Sequence, residues 1–295
     1  MPRTVVAERS SKTVKERSTG EYKLIDVRPF APNLGAEIRG IQLAHGVNDA
    51  AFDEIRRAFL DYQVLFFKDQ DEIPPRQHID FAKRFGPLHS HPAAPTMAGF
   101  PEIFEIHAHR HSKIANGEFW HSDVSCDVEP PLGTMLQIHI LPPCGGDTMF
   151  SDMYGAYDKL SEPLKKMLDG LTATHESEHI YRGRYTDRGQ KDDEIRYPVA
   201  VHPVVRTHPD TDRKALYINR TFTTRINELS AFESDALLEM LFQHCEHIDF
   251  QIRFRWSLND MAFWDNRCCM HRAIWDYWPE ERKGRRVTIQ GDRPR

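Results

Sequence analysis

Apolar and polar positions fall into short runs along this chain, and the period of each run predicts an element. Tyr22 to Val27 reads as a first strand. From Asn48 to Gln63, Phe52, Ile55, Ala58, Phe59 and Tyr62 recur at helical spacing. Val64-Leu65-Phe66-Phe67 is wholly apolar and predicts a short strand. Pro74-Pro75 opens a second helix through about Phe85, which Gly86-Pro87 ends. Gly133 to Leu141 reads as a buried strand, and Gly145-Gly146 as a turn. Asp158 to Asp169 predicts one helix, with Gly170 as its stop. The polar stretch from about Glu176 to Tyr197, with Gly183 and Gly189, reads as a long surface excursion, either a lid or an insertion without a catalytic role. Ser230-Ala-Phe-Glu233 is a capping-box signature that starts a helix to about Cys245. Phe250, Ile252, Phe254 and Trp256 then alternate with Gln251, Arg253 and Arg255, the period-two pattern of a strand with one wet face. Many short strands with few helices predict a mostly β fold, a jelly roll with flanking helices.

Composition narrows this picture. The chain has 295 residues, 40% hydrophobic and 11% aromatic, enough to bury a large core. Residues 1–20 are polar and charged and read as a flexible leader; nothing in residues 21–295 demands a domain break. Net charge is −5 with no basic block, which argues against a nucleic-acid partner. No apolar run reaches the 18 residues of a transmembrane helix, and the N-terminus lacks the apolar stretch of a secretory signal. The five cysteines are an odd number with no Cys-x-x-Cys pair, which fits free thiols and a cytoplasmic location.

Candidate chemistry starts from histidine and aspartate. His-x-Asp occurs three times: His78-Ile-Asp80, His121-Ser-Asp123 and His247-Ile-Asp249. In a helix, residues two apart point about 200° from each other, so His78 and Asp80 cannot easily chelate one ion. His121 follows Trp120 in an irregular stretch where the backbone can turn both side chains inward. A third ligand must come from a remote strand, and His271 in Cys-Cys-Met-His-Arg fits. Two imidazoles and one carboxylate occupy one face of an iron ion and leave the other face open. Arg282, eleven residues on, suggests that one open-face ligand is an organic dianion. These residues read as an Fe(II)- and 2-oxoglutarate-dependent oxygenase. A thiolate site at Cys268 and Cys269 is an alternative. His107, His109 and His111 would share one face of a strand and read as a solvated face or loop. His175, His179, His202, His208 and His244 read the same way.

The chain closely resembles the taurine dioxygenase family of Fe(II)/2-oxoglutarate-dependent enzymes from about Leu34 onward. The resemblance rests on Phe85-Gly-Pro-Leu-His-Ser-His-Pro92, Trp120-His-Ser-Asp-Val124, Gly145-Gly-Asp-Thr148 and His202-Pro-Val-Val-Arg-Thr-His-Pro209, followed in order by Phe222-Thr-Thr-Arg-Ile226, Trp264-Asp-Asn-Arg267 and Thr288-Ile-Gln-Gly-Asp292. It implies a cupin-like double-stranded β-helix, O2 as co-reactant, and His121, Asp123 and His271 as iron ligands. It also implies that Thr148 and Arg282 hold the distal carboxylate of 2-oxoglutarate. His91, Val124, Tyr181, Phe222 and Arg286 fall at positions that line the family's substrate pocket. Arg286 would clamp a small anionic organic substrate, a taurine-like sulfonate hydroxylated with release of sulfite and aldehyde. A salt bridge to Asp292 or Glu281 is the competing reading of that arginine. Ala94 and Gly117 stand where the taurine enzymes tend to carry tyrosine and asparagine, so an alkyl sulfate or a phenoxyalkanoate-like carboxylate stays open as substrate. A non-catalytic cupin-like binding protein is a third reading. Related enzymes suggest a homodimer or tetramer.

Overall fold

The computed structural model describes residues 21–186, 189 and 191–295. The expected leader, residues 1–20, lies outside the described residues. β-Structure predominates and helices flank it. An eight-stranded sheet runs in the order Asp26–Pro29, Ala36–Arg39, Val64–Phe67, Met261–Asp265, Gly133–Ile140, Arg282–Ile289, Phe100–Ala108, Thr96–Met97. A three-stranded sheet has Thr148–Asp152 between Gln251–Phe254 and Cys269–Ala273. A second three-stranded sheet joins Thr223–Ile226, Thr172–Glu176 and Val199–Pro203.

Strand parity assigns each side chain to a layer. Leu65, Phe67, Met261, Phe263, Met135 and Val287 leave one face of the large sheet and pack with Ile55, Phe59 and Ile79 of the helices Asp49–Tyr62 and Pro75–Lys83. Phe59 and Phe263 stack with ring centroids 3.9 Å apart. Val64, Phe66, Ala262, Trp264, Leu136 and Ile138 leave the opposite face and meet Phe150, Ile252, Phe254 and Cys269 of the small sheet. Phe66 and Phe254 stack at 3.9 Å across that layer. Val64–Phe67 is therefore apolar at every position because both of its faces are covered. Met153, Leu238, Leu241 and Met270 form a further core behind the small sheet, against the helix Ala231–Cys245. The layers run helix, sheet, sheet, helix.

Several sequence expectations hold, among them the helix after Asn48, the strand Gly133–Ile140 and the capping box at Ser230 and Glu233. Others shift for identifiable reasons. The first strand starts at Asp26, because the backbone amides of Lys23, Leu24 and Ile25 all donate to the Glu54 carboxylate instead of to a sheet. The single helix expected over Asp158 to Asp169 is two, Met153–Asp158 and Glu162–Leu168. Pro163 has no N–H and would clash with the carbonyl four residues earlier, so it opens a new helix behind the Ser161 N-cap. The segment 176–197 is less of a surface excursion than its polarity suggests. It forms the short helix Glu178–Tyr181, and Tyr181 and Tyr185 are buried.

Candidate active site

The strand Cys269–Ala273 points Cys269 and His271 toward the interior between the two sheets. His121 pairs with His271 as an isolated antiparallel bridge. The amide of His121 donates to the His271 carbonyl at 3.0 Å, and the reverse bond is 2.8 Å. This exchange brings the two rings to 4.1 Å between centroids. His121 Nδ1 lies 2.8 Å from the Phe119 carbonyl, which assigns its proton to Nδ1 and leaves Nε2 as a free lone pair. The His271 ring is seated against Trp264 and Phe150, at 4.5 and 6.1 Å.

Asp123 is held from behind. Its Oδ2 accepts from the Thr134 hydroxyl at 2.7 Å and from the Trp264 indole at 3.2 Å. Its backbone amide donates to Asn266 Oδ1 at 3.2 Å, and Asn266 Nδ2 donates to Thr134 Oγ1 at 3.1 Å. Oδ1 is left facing forward, 3.7 Å from His121 Nε2 and 3.9 Å from His271 Nε2. Burial opposes its charge, yet Arg286, His271 and His121 hold the carboxyl well below the usual carboxylate range. Burial, then the neighbouring His121, pushes the His271 imidazole well down, toward the neutral form that binds metals.

These three atoms could hold a metal ion. Ligand bonds of about 2.0–2.2 Å place adjacent ligand atoms roughly 3 Å or more apart, and the spacing leaves that gap with the donors converging from one side. A second group, His208, Asp265 and Cys268, has comparable proximity. It is closed, however. His208 Nε2 already lies 3.0 Å from Asp265 Oδ2, and Arg267 takes both oxygens of Asp265 at 2.8 and 2.7 Å. Burial raises the thiols of Cys268 and Cys269 well above their ordinary value, and Cys269 does not belong to this group. His78 is buried in its helix while its neighbour Asp80 pairs with exposed Arg76. His247 and Asp249 lie on the surface.

Arg282 and Arg286 share the inner face of one strand. Arg286 Nη1 lies 2.8 Å from Asp123 Oδ1, and its guanidinium sits over Phe104 at 5.0 Å. It does not meet Asp292 or Glu281, which pair with Arg206 and His107. Arg282 Nε donates to the Gly146 carbonyl at 3.0 Å, while its Nη2 is buried without a partner among the described residues. Gly146 adopts φ +73°, and a Cβ there would sit 3.0 Å from Arg282 Cδ, so a side chain would both strain the turn and crowd the arginine.

His91, Val124, Tyr181 and Phe222 come together in one buried cluster with Ala93, Ala94, Phe104 and Tyr185. His91 Nδ1 accepts from the amides of Ala93 and Ala94 at 3.1 and 2.9 Å, which assigns the proton to Nε2. Burial, then the Arg286 charge, keeps His91 neutral. Val124 has φ +46°, a strained value for a β-branched residue, at the sharp turn immediately after Asp123.

The sequence missed several supporting residues. Thr134, Trp264 and Asn266 orient Asp123, a role that the matching phrase Trp264-Asp-Asn-Arg267 does not itself reveal. Gly117 approaches the metal group closely, since a Cβ there would lie 3.1 Å from His121 Cε1. Ser125 braces the loop after Asp123 through His175, at 3.0 Å, and its carbonyl lies 3.0 Å from His202 Nε2. The expectation of a solvated face or loop fails for these two histidines, which are buried. Arg184 ties the segment bearing Tyr181 to the Ala115 carbonyl at 2.9 Å.

Known proteins share this arrangement of chain and fold. The taurine catabolism dioxygenase TauD, TfdA family matches residues 26–288. An alpha-ketoglutarate-dependent sulfate ester dioxygenase of Pseudomonas putida is 33% identical over 277 residues, covering 92% of this chain and 91% of its own. An alpha-ketoglutarate-dependent sulfonate dioxygenase of Saccharomyces cerevisiae is 34% identical over 292 residues, covering 95% of this chain and 69% of its own. The crystal structure of a taurine dioxygenase from Burkholderia xenovorans superposes with a TM-score of 0.78 at 32% identity, covering 92% of this chain and 93% of that one. No helix among the described residues is long and apolar enough to cross a membrane. A match across nearly the whole described chain, on a fold that gathers two histidines, an aspartate and two buried arginines, makes this protein a member of the TauD/TfdA family of alpha-ketoglutarate (2-oxoglutarate)-dependent dioxygenases.

Proposed function

We propose that His121, Asp123 and His271 hold Fe(II), that Thr148 and Arg282 hold the distal carboxylate of 2-oxoglutarate, and that the cluster around His91 and Arg286 receives a small organic anion. The observation that carries this reading is the proximity of His121 Nε2, Asp123 Oδ1 and His271 Nε2, with Arg282 Nη2, unpartnered among the described residues, on the same strand as Arg286. A buried guanidinium nitrogen without a partner is costly, so it fits a site completed by an incoming carboxylate. The two facing sheets and their shared apolar layer support a jelly roll, in which remote strands supply the ligands.

When bound, iron and 2-oxoglutarate supply the oxidising chemistry: O2 is consumed, 2-oxoglutarate becomes succinate and CO2, and one oxygen atom enters a substrate C–H bond. The chain's own residues decide which bond. His91 presents its Nε2–H and Arg286 its guanidinium to the anion, so charge and one directed hydrogen bond fix one end of the substrate. Phe104, Val124, Tyr181 and Phe222 exclude water from its carbon body. Placement matters, since an error of about 1 Å can cost 100-fold in rate. A sulfonate or sulfate ester is the class favoured by the relatives' activities; hydroxylation at the carbon bearing the sulfur group gives a carbonyl product and sulfite or sulfate. A carboxylate uses the same clamp and is the second reading.

The test is a panel of sulfonates, sulfate esters and carboxylates under Fe(II), 2-oxoglutarate and O2, with succinate, sulfite and sulfate all measured. Substrate-dependent succinate with release of a sulfur anion is expected. Turnover of carboxylates alone would transfer the proposal to the second reading, and no succinate with any anion would overturn it.

A further inference from the structure

We propose that Trp256 is a positioning residue for 2-oxoglutarate, acting by setting the hydroxyl of Thr148 and by seating the guanidinium of Arg282. The inference rests on the preceding assignment of Thr148 and Arg282 to that cosubstrate. Trp256 follows the strand Gln251–Phe254, whose Phe254 pairs with Thr148 in the small sheet. Two residues on, parity returns the indole to the inner face. There its Nε1 lies 3.0 Å from Thr148 Oγ1, and both groups are buried. The Arg282 guanidinium carbon lies 5.5 Å from the centroid of the same indole. One side chain thus touches both assigned carboxylate donors.

Donor rules give the contact a direction. An indole N–H only donates, so Thr148 Oγ1 must accept. The hydroxyl proton is then free to turn to an incoming carboxylate, and the rotamer that presents it is held. Arg282 is anchored at Nε by the Gly146 carbonyl and flanked by the ring face, a cation–π contact that restrains the guanidinium plane. Nη2 is buried without a partner among the described residues. Trp256 therefore lowers the reorganisation needed when the carboxylate arrives, without touching the metal group.

The experiment is calorimetric titration of 2-oxoglutarate into the Mn(II)-loaded full chain, with Mn(II) affinity measured separately. Trp256→Phe keeps an apolar ring and removes the N–H. About 3- to 10-fold weaker 2-oxoglutarate binding is expected, the effect of one net hydrogen bond, with Mn(II) affinity unchanged. Thr148→Val should weaken binding similarly, and Thr148→Ser, which keeps the hydroxyl and leaves the tryptophan in place, should bind like wild type. In the Thr148→Val background, Trp256→Phe should add less than 2-fold. Wild-type binding by Trp256→Phe, full additivity in the double variant, or loss of Mn(II) affinity would each overturn the inference. Wild-type binding by both Thr148→Val and Arg282→Leu would instead overturn the cosubstrate assignment beneath it.

Discussion

Arg286 Nη1 lies 2.8 Å from Oδ1 of Asp123, the same carboxylate oxygen that faces both imidazoles. A fixed cation thus neutralises the carboxylate where the metal ion is expected to do so. Removing one partner of a buried pair strands the other, at about 3 kcal/mol or more. Arg286→Leu should therefore lower the melting temperature of the metal-free protein. Adding Mn(II) should raise it more in the variant than in wild type, because the ion then supplies the missing positive charge. Thermal melts with and without Mn(II) check this; an equal rise in both would show that the two cations are not interchangeable.

Gly117 sits at φ +79° with His121 Cε1 in the place of a side chain. Gly117→Ala adds about 1 kcal/mol of backbone strain and a methyl group 3.1 Å from the imidazole. The backbone strain is common to the metal-free and metal-bound protein and lowers stability; displacement of the ring lowers metal affinity, by about fivefold for each roughly 1 kcal/mol it costs. Calorimetric Mn(II) titration reads it directly, and unchanged affinity would place the loop's tolerance above this expectation.

Thr134 is the nearer of the two donors that lock Asp123 Oδ2. In Thr134→Val, Oδ2 keeps only the indole bond, and Asn266 Nδ2 loses its acceptor. Loss of such an outer hydrogen bond typically costs 10–100-fold in metal affinity. Thr134→Ser should restore most of it, which separates the hydroxyl's role from simple packing.

Buried His78 bears on acid stability. Burial lowers its pKa to about 3, helped by the neighbouring charges of His139 and Arg285, and neither ring nitrogen has a partner among the described residues. An unfolded imidazole protonates near pH 6.5. The unfolded state therefore binds the extra proton, and stability falls as pH drops from about 6.5 toward 3. At pH 4 this amounts to roughly 3 kcal/mol. His78→Leu should flatten that limb of the stability–pH curve, measured by denaturant unfolding at pH 7 and pH 4. Parallel curves for variant and wild type would assign the acid limb to other groups.

The sequence carried the site's chemistry further than its supports. That His121, Asp123 and His271 come together was legible because residue type and order along the chain are properties of the string. Val64–Phe67 was legible because a four-residue apolar run needs cover on both faces. The split of the helix at Ser161 could have been found from Pro163, whose missing amide was there to read. Glu54 could not have been expected to draw Lys23, Leu24 and Ile25 off the sheet, because a carboxylate's partner about thirty residues away leaves no period. Trp256 was assigned to the apolar face of its strand, yet periodicity says nothing of where an indole N–H ends. Tyr185 was hidden in a segment whose average polarity describes its outer face, and Tyr181 was legible there only through the family resemblance.

The most direct test is an anomalous-difference map from a crystal grown anaerobically with Fe(II). One iron peak per chain is expected, bonded at about 2.0–2.2 Å to His121 Nε2, Asp123 Oδ1 and His271 Nε2, with its remaining positions free of protein atoms. A peak at His208, Asp265 and Cys268 instead, or an ion enclosed on every side by the chain, would contradict the account.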